Sequence, residues 1–382
     1  MIKKDHFIIK TKVYFNQGSM QMLKCTKGHC ALVVSDSIMA ELGYLKQAQE
    51  YLREAGIVSA AFTDVRPDPD VHIVAAGVEA FEACNADVLV ALGGGSVIDT
   101  AKAILYFVWK RSEAAGKRFE KPCFIAIPST SGTGSEVTNF SVISTDSAKN
   151  VIIDEFIAPD VALLDSICIQ HVPKSVIADT GMDVLVHALE AYVSTDATDF
   201  TDALAEKTVE LLFGHLKRLY DDPANDNARD RVQNASCIAG IAFTNSNLGI
   251  THSLAHALGA EFHLPHGRAN ALLMEAVIEY NADLAGEANT DAAWKYQKMA
   301  AELNLPAGTP REGTVSLLRA IAQLKRELDI PQGIHATGKI GPELFEQALE
   351  GMAEEALRDR CTPTNPVRPT KEDLIRLYRA SY

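Results

Sequence analysis

Residues 86–107 read ADVLVALGGGSVIDTAKAILYF. They spell a buried strand, a triple-glycine turn at Gly93, Gly94 and Gly95, and a helix opening at Ser96. An apolar run without polar alternation fits a strand covered on both faces, as in a parallel sheet. Glycines let backbone N–H groups come close to a ligand, and the first turn of a helix offers unpaired N–H groups at the positive end of its dipole. An anion such as a pyrophosphate can be held there without Arg or Lys. A competing use of the same N–H groups is a capping box, since Ser96 and Asp99 stand at its spacing with a short acid at the third position. The turn departs from G-x-G-x-x-G and lacks the lysine of a P-loop.

Working outward, the same alternation recurs. CALVVS (30–35) precedes a helical stretch running to Ala55 and stopped by Gly56, and CFIAIP (123–128) precedes a loop. Strand, turn and helix in repetition predict a mostly parallel sheet. The loop IPSTSGTGSEVT (127–138) is rich in Ser, Thr and Gly, and the hydroxyls of Thr130, Ser131, Thr133 and Thr138 can bond a phosphate, ribose or carboxamide; otherwise it is a flexible linker. Asp36, at the end of the first strand, is placed to accept from ribose hydroxyls and to repel a 2′-phosphate, favouring NAD over NADP; alternatively Asp36 or Ser37 caps the next helix. Between Ser141 and Asp165 the runs SVIST, NVIID and VALLD predict a hairpin or short crossover at the edge of this domain. From about Gly181 apolar residues recur at three- and four-residue spacing, as in 201–220 and 314–328, and the remainder reads as all helix. The expected division is an α/β dinucleotide-binding domain over 1–180 and an all-α domain over 181–382.

Eleven histidines in 382 residues average fewer than one per seventeen positions, yet THSLAHALGAEFHLPHG (251–267) holds His252, His256, His263 and His266. His252 and His256 stand four apart on one helical face, and Pro265 ends the turn that presents His266. In GMDVLVHALEAY, Asp183 and His187 are also four apart. One carboxylate with three imidazoles suits Fe(II), Zn(II), Co(II) or Mn(II) better than Mg(II) or Ca(II). Spacing alone names Asp183, His187, His252 and one of His256 or His266 as ligands, leaving the other to move protons.

The composition excludes several classes. Hydrophobic residues make up 47% and charged residues 23%, a globular balance. The net charge of −14, from 36 basic and 50 acidic residues, and the lack of a basic cluster argue against nucleic acid as a partner. The longest clean apolar run, Ala103 to Trp109, is far short of a membrane span, and the start MIKKDHFIIK has no secretory pattern, so a cytoplasmic address is expected. Seven scattered cysteines without a C-x-x-C pair fit reduced thiols.

GGGSVIDTAK, IPSTSGTGSEVT, TGMDVLVHALEAYVS and GITHSLAHALGAEFHLPHGRANALL, in this order and spacing, resemble the iron-containing (group III) alcohol dehydrogenases over nearly the whole chain. DFTDALAEK (199–207) and EFHLPHG (261–267) are most similar to the 1-propanol dehydrogenases of propanediol-degrading microcompartments and to the alcohol-dehydrogenase half of bifunctional aldehyde–alcohol dehydrogenases. The resemblance implies Asp183, His187, His252 and His266 as metal ligands and His256 as a proton relay beside a nicotinamide. It implies NAD(H) on Asp36, Gly94, Gly95, Ser96, Asp99, Thr130, Ser131, Thr133, Thr138 and Lys149, with Fe(II), or Zn(II) as the alternative metal. It further implies interconversion of short-chain aldehydes such as propanal with primary alcohols, a homodimer or larger assembly, and a microcompartment interior as an alternative address. Asp68 stands where some relatives have Asn, and Phe140 where lactaldehyde reductases have Asn, which favours a plain short-chain substrate over a vicinal diol. The rival readings are a glycerol or polyol dehydrogenase, a dehydroquinate synthase, and a metal- and nucleotide-binding module without turnover.

Overall fold

The structure is a computed structural model that describes residues 6–67, 69–144 and 149–382, with Lys149 described by its backbone alone. Asp68 and the Lys149 side chain thus lie outside the described residues. The chain divides into two compact units, Ile8–His171 and Val172–Tyr382, the second joined by Phe7. Phe7 belongs there because its ring stacks on Phe200 at 5.3 Å.

The first unit contains strands β1 (Lys12–Phe15), β2 (Cys30–Ser35), β3 (Val58–Phe62), β4 (Val88–Gly93), β5 (Cys123–Pro128), β6 (Phe140–Ser144), β7 (Lys149–Ile153) and β8 (Val161–Leu164). Its helices are α1 (Ser37–Glu41), α2 (Tyr44–Glu54), α3 (Val71–Cys84) and α4 (Gly95–Ala114). Six strands form one sheet in the order β1-β8-β5-β4-β2-β3, every pair parallel. Side chains alternate between its faces. Leu32, Val34, Leu89, Ala91 and Phe124 pack with α3 and α4, while Ala31, Val33, Val90, Leu92 and Ile125 pack with α2. Both faces are covered, which explains why β4 is buried at every position.

Register brings the loops of interest to one edge. Ser35 pairs with Leu92, and Gly93 pairs with Pro128, so β2, β4 and β5 end nearly level. From β2 the chain steps outward to β3, then returns to β4 on the other side of β2 and continues to β5. The gap between β2 and β4 is therefore a topological switch point, where open parallel sheets bind ligands beyond the carboxyl ends of their strands.

Three local expectations change. The stretch from Ser37 to Ala55 is two helices, broken at Gly43, whose φ of 83° ends the first. The capping box is absent: Gly94 is the N-cap of α4, which makes no side-chain cap, and the helix starts at Gly95. The region from Ser141 to Asp165 also splits. β6 and β7 pair antiparallel as a separate sheet, whereas Val161–Leu164 enters the main sheet between β5 and β1.

The second unit consists of α5 (Lys174–Val193), α6 (Asp199–Asp221), α7 (Asp226–Ser246), α8 (Ile250–Phe262), α9 (His266–Asn281), α10 (Asp291–Glu302), α11 (Pro310–Glu327), α12 (Pro342–Arg358) and α13 (Lys371–Ala380). Among the described residues it carries no strand. The expected boundary at 180/181 falls inside α5, and the chain divides before Val172 instead. Every residue of α5 from Gly181 to Val193 is buried. Its Asp183, His187 and Glu190 are thus polar groups inside a packed bundle, a placement that is costly unless partners meet them. No helix among the described residues is long and apolar enough to cross a membrane.

Candidate functional site

Asp183 and His187 point from adjacent turns of α5, His252 comes from α8, and His266 is the first residue of α9. Each offers one donor atom to a cluster whose members all lie within 4.8 Å of one another. Asp183 Oδ1 is 3.8 Å from His252 Nε2 and 3.5 Å from His266 Nε2. The rings of His187 and His252 stack at 4.7 Å, and Phe243 closes the other side of His187 at 4.5 Å. His252 Nε2 and His187 Nδ1 are buried without a hydrogen-bond partner. Burial drives the His187 pKa down to about 3, so its imidazole is neutral. A buried carboxylate facing imidazoles whose inward nitrogens lack partners is a set that a divalent transition ion would satisfy. These residues therefore fit the group that the spacing suggested.

Close approach of two helices makes this convergence possible. A Cβ on Gly267 would lie 2.2 Å from the backbone oxygen of Asp179 and 3.2 Å from Asp183 Cβ, so only glycine lets the start of α9 touch α5. Asn270, one turn beyond His266, donates from Nδ2 to Asp183 Oδ1 at 2.7 Å and lies 3.1 Å from His266 Nε2.

Glu190 is a functional residue that the sequence reading missed. Buried on α5, it accepts from Gly249 N at 3.0 Å and Thr251 N at 2.5 Å, and its Oε2 is 2.7 Å from His252 Nδ1. It satisfies the N-terminal N–H groups of α8 and turns His252 Nε2 toward the cluster. Burial works against a charged His252, but the Glu190 bond and charge outweigh it and raise its pKa above the ordinary value. The available signal was the i,i+3 and i,i+7 spacing of Glu190 from His187 and Asp183.

His256 and His266, which spacing could not separate, now take different places. His266 joins the cluster, while His256 holds Asp359 Oδ2 through Nδ1 at 2.8 Å. Asp359 also accepts from Cys361 N at 2.8 Å; burial opposes its charge, yet these bonds hold its carboxyl well below the usual range. His263 stays out of the cluster and ends α8 in the left-handed region, with φ 53°. The segment CTPTNPVRP (361–369) is anchored to the helices around it: Thr362 Oγ1 donates to Ser253 Oγ at 2.8 Å and Asn365 Nδ2 donates to Asn281 Oδ1 at 2.8 Å.

In the first unit, the two glycine-rich segments form one surface beyond β4 and β5. A Cβ on Gly95 would lie 2.7 Å from Thr133 Cγ2, and one on Gly94 would lie 3.4 Å from Thr130. The loop thus rests on the bare backbone of the turn, and Gly94, Gly95 and Ser96 are half-buried at the start of α4. Ser131 is buried there with a hydroxyl that has no partner. Asp36 caps α1, accepting from Met39 N at 2.8 Å, so the capping role is realised.

Asp99 and Thr138 are turned inward. Asp99 accepts from Ser135 Oγ at 2.6 Å and Val142 N at 2.9 Å, and burial raises its pKa. Thr138 is fully buried and accepts from Lys102 Nζ at 2.9 Å. Lys102, unnoticed in the sequence, also donates to Ser135 Oγ and the Phe140 carbonyl, and burial lowers its pKa to about 8. This network ties the 127–138 loop to α4 without entering the turn itself.

Two family patterns match the chain: "Iron-containing alcohol dehydrogenase" over residues 10–166 and "Fe-containing alcohol dehydrogenase family, C-terminal" over 177–382. An aldehyde-alcohol dehydrogenase of Streptococcus pneumoniae is 40% identical over 98% of this chain, which spans only 45% of that longer protein. An NADPH-dependent butanol dehydrogenase of Clostridium saccharobutylicum is 37% identical over 98% of this chain and 97% of its own. A 1-propanol dehydrogenase of Citrobacter freundii is 38% identical over 94% and 95%. Among solved structures, the iron-containing alcohol dehydrogenase of Thermococcus thioreducens superposes with a TM-score of 0.89 at 31% identity over 99% of both chains. A sulfoacetaldehyde reductase of Bifidobacterium kashiwanohense, solved with NAD+, gives 0.85 at 27% over 98% of both. With both patterns matched and relatives above 30% identity aligned end to end, this chain belongs to the iron-containing alcohol dehydrogenase family.

Proposed function

We propose that the chain is a metal-dependent alcohol dehydrogenase that interconverts short-chain aldehydes and primary alcohols with NAD(H). The observation that carries this reading is the cluster of Asp183, His187, His252 and His266 with its orphaned imidazole nitrogens. These four residues would hold Fe(II), or Zn(II) in its place. When bound, the metal supplies a Lewis acid for a carbonyl oxygen and the nicotinamide supplies a hydride.

The chain's own residues do the remaining work. Glu190 keeps His252 Nε2 aimed inward through its bond to Nδ1. The Nδ1 bond to Asp359 fixes the ring of His256 and leaves Nε2 to hand a proton to the nascent alcohol oxygen or to take one back. Gly94, Gly95 and Ser96 offer N–H groups to a pyrophosphate, with Thr130, Ser131 and Thr133 around them. A carboxylate at Asp36, beside the switch point, disfavours a 2′-phosphate and supports NAD(H) over NADP(H). The names of the 1-propanol and butanol dehydrogenase relatives support a short-chain substrate. A homodimer or larger assembly, in the cytoplasm or in a microcompartment, belongs to the same reading.

The test is anaerobic purification, removal of metal, and measurement of NADH and NADPH oxidation with propanal after adding Fe(II) or Zn(II) separately. Metal-dependent oxidation, faster with NADH, is expected. Replacing His266 by Ala should abolish metal binding, whereas His256→Ala should keep the metal and slow turnover. Equal metal loss in both variants overturns the residue roles. No oxidation despite restored metal content overturns the short-chain aldehyde reading and points to polyols or to a module without turnover.

A further inference from the structure

Beside the first cluster lies a second: His256, Asp359 and Cys361 also bring their donor atoms within 4.8 Å of one another. We propose that these three residues form a separate site for a thiophilic divalent cation of the zinc class, and that its occupation suppresses turnover by engaging His256. The inhibitory half rests on the proton-handling role given to His256 above; the binding half does not.

The ligand chemistry is favourable. Thiolate, imidazole and carboxylate are all zinc ligands, and three protein donors with an open fourth position form a familiar zinc arrangement. The first cluster has no sulfur, so a soft cation distinguishes the two. Formal charge also balances, because one carboxylate and one thiolate neutralise a divalent ion and spare the neighbouring metal a net repulsion. The Cys361 thiol is held protonated by burial and by the Asp359 charge, and binding releases that proton to solvent.

The geometry is built into the fold. Asp359 is the C-cap of α12, and its Oδ1 accepts the Cys361 N–H at 2.8 Å, which fixes the carboxylate relative to the thiol. Thr362, the next residue, bonds Ser253 Oγ at 2.8 Å and the Ala356 carbonyl at 2.6 Å, tying this corner to α8, which carries His256. The His256 side chain is 43% exposed, which gives an ion access from solvent, while Cys361 is buried behind it. The rings of His256 and His266 stack at 5.2 Å, so the second site adjoins the first. A cation on His256 Nδ1 takes the atom that now holds Asp359 and leaves Nε2 as a fixed N–H. That nitrogen then no longer accepts a proton.

The experiment uses the protein loaded with one equivalent of Fe(II), titrated anaerobically with Cd(II) alone. Thiolate-to-cadmium absorption, retained iron and NADH oxidation with propanal are followed together. One equivalent of cadmium should bind with a thiolate signature while iron stays, and turnover should fall with the same midpoint. Cys361→Ser should remove the absorption and raise the binding midpoint by at least about tenfold, the lower bound for losing even an outer partner of a metal. Cys25→Ser, at an exposed thiol, should leave both unchanged. If Cys361→Ser does not fold, His256→Gln read by the same absorption should show the weakened binding. Absorption that persists in Cys361→Ser, or iron leaving in step with cadmium uptake, overturns the site. Cadmium bound there with turnover intact overturns the inhibition. A protein without turnover still answers the binding question by absorption and stoichiometry, so failure of the proposed function is seen separately.

Discussion

Glu190 is a buried carboxylate that sets the aim of one proposed metal ligand through its outer nitrogen. It accepts two backbone N–H groups at the start of α8 and orients His252. Glu190→Gln keeps the shape but removes the charge, and it should weaken metal binding by about 10–100-fold. Competition against a chelator, with metal content measured, checks this; unchanged affinity would reduce Glu190 to a helix cap. Burial of His187 makes the stability of the metal-free protein depend on pH. There the His187 pKa is about 3, against 6.5 for an ordinary histidine. Above 6.5 neither folded nor unfolded chain holds that proton; as pH falls from 6.5 towards 3, only the unfolded chain takes it up. Stability should therefore decline over this window, by on the order of a few kcal/mol from this group. His187→Gln should flatten that part of a denaturant-based stability profile, and an identical slope would refute the assignment.

At the scale of elements, the site depends on where α9 begins relative to α5. Gly267 lies against the Asp179 backbone, which cannot give way as a flexible side chain could. Gly267→Ala should push the start of α9 outward, at a cost of about 1–3 kcal/mol for overpacking. His266 should move with it, so metal content should drop while helix content, read by circular dichroism, stays near normal. Full metal loading in a folded Gly267→Ala protein would contradict this account. The broken capping box teaches a related point. Ser96 and Asp99 have the right spacing, but Asp99 serves β6 and the loop at Ser135, and the turn keeps its N–H groups uncapped by side chains.

For the whole molecule, the two units have separate cores: the sheet with its helices in one, and two clusters of helical side chains in the other. The proposed metal ligands all belong to the helical unit and join α5, α8 and α9. A ligand that binds only the folded state at a hundredfold excess over its Kd adds about 2.7 kcal/mol. Chelation should accordingly increase hydrogen exchange in the helical unit and leave the Ile8–His171 sheet protected as before. Region-resolved exchange measured by mass spectrometry would show this, and equal loss of protection in both units would sink it.

Local pattern alone determined the class of each half. Uninterrupted apolar runs alternating with turns and helical stretches point to parallel strands, and three- and four-residue apolar spacing points to helices, because both follow from the geometry of the chain. Local spacing likewise put Asp183 with His187 and His252 with His256, since residues four apart share a helical face. What only the tertiary structure decided is which groups meet across elements. His266 rather than His256 joins the cluster, Glu190 serves His252, Lys102 holds Thr138, Asp359 holds His256, and Thr362 braces α8 at Ser253. Partners separated by tens to a hundred residues are brought together by helix packing, and no periodicity within a single segment records that distance.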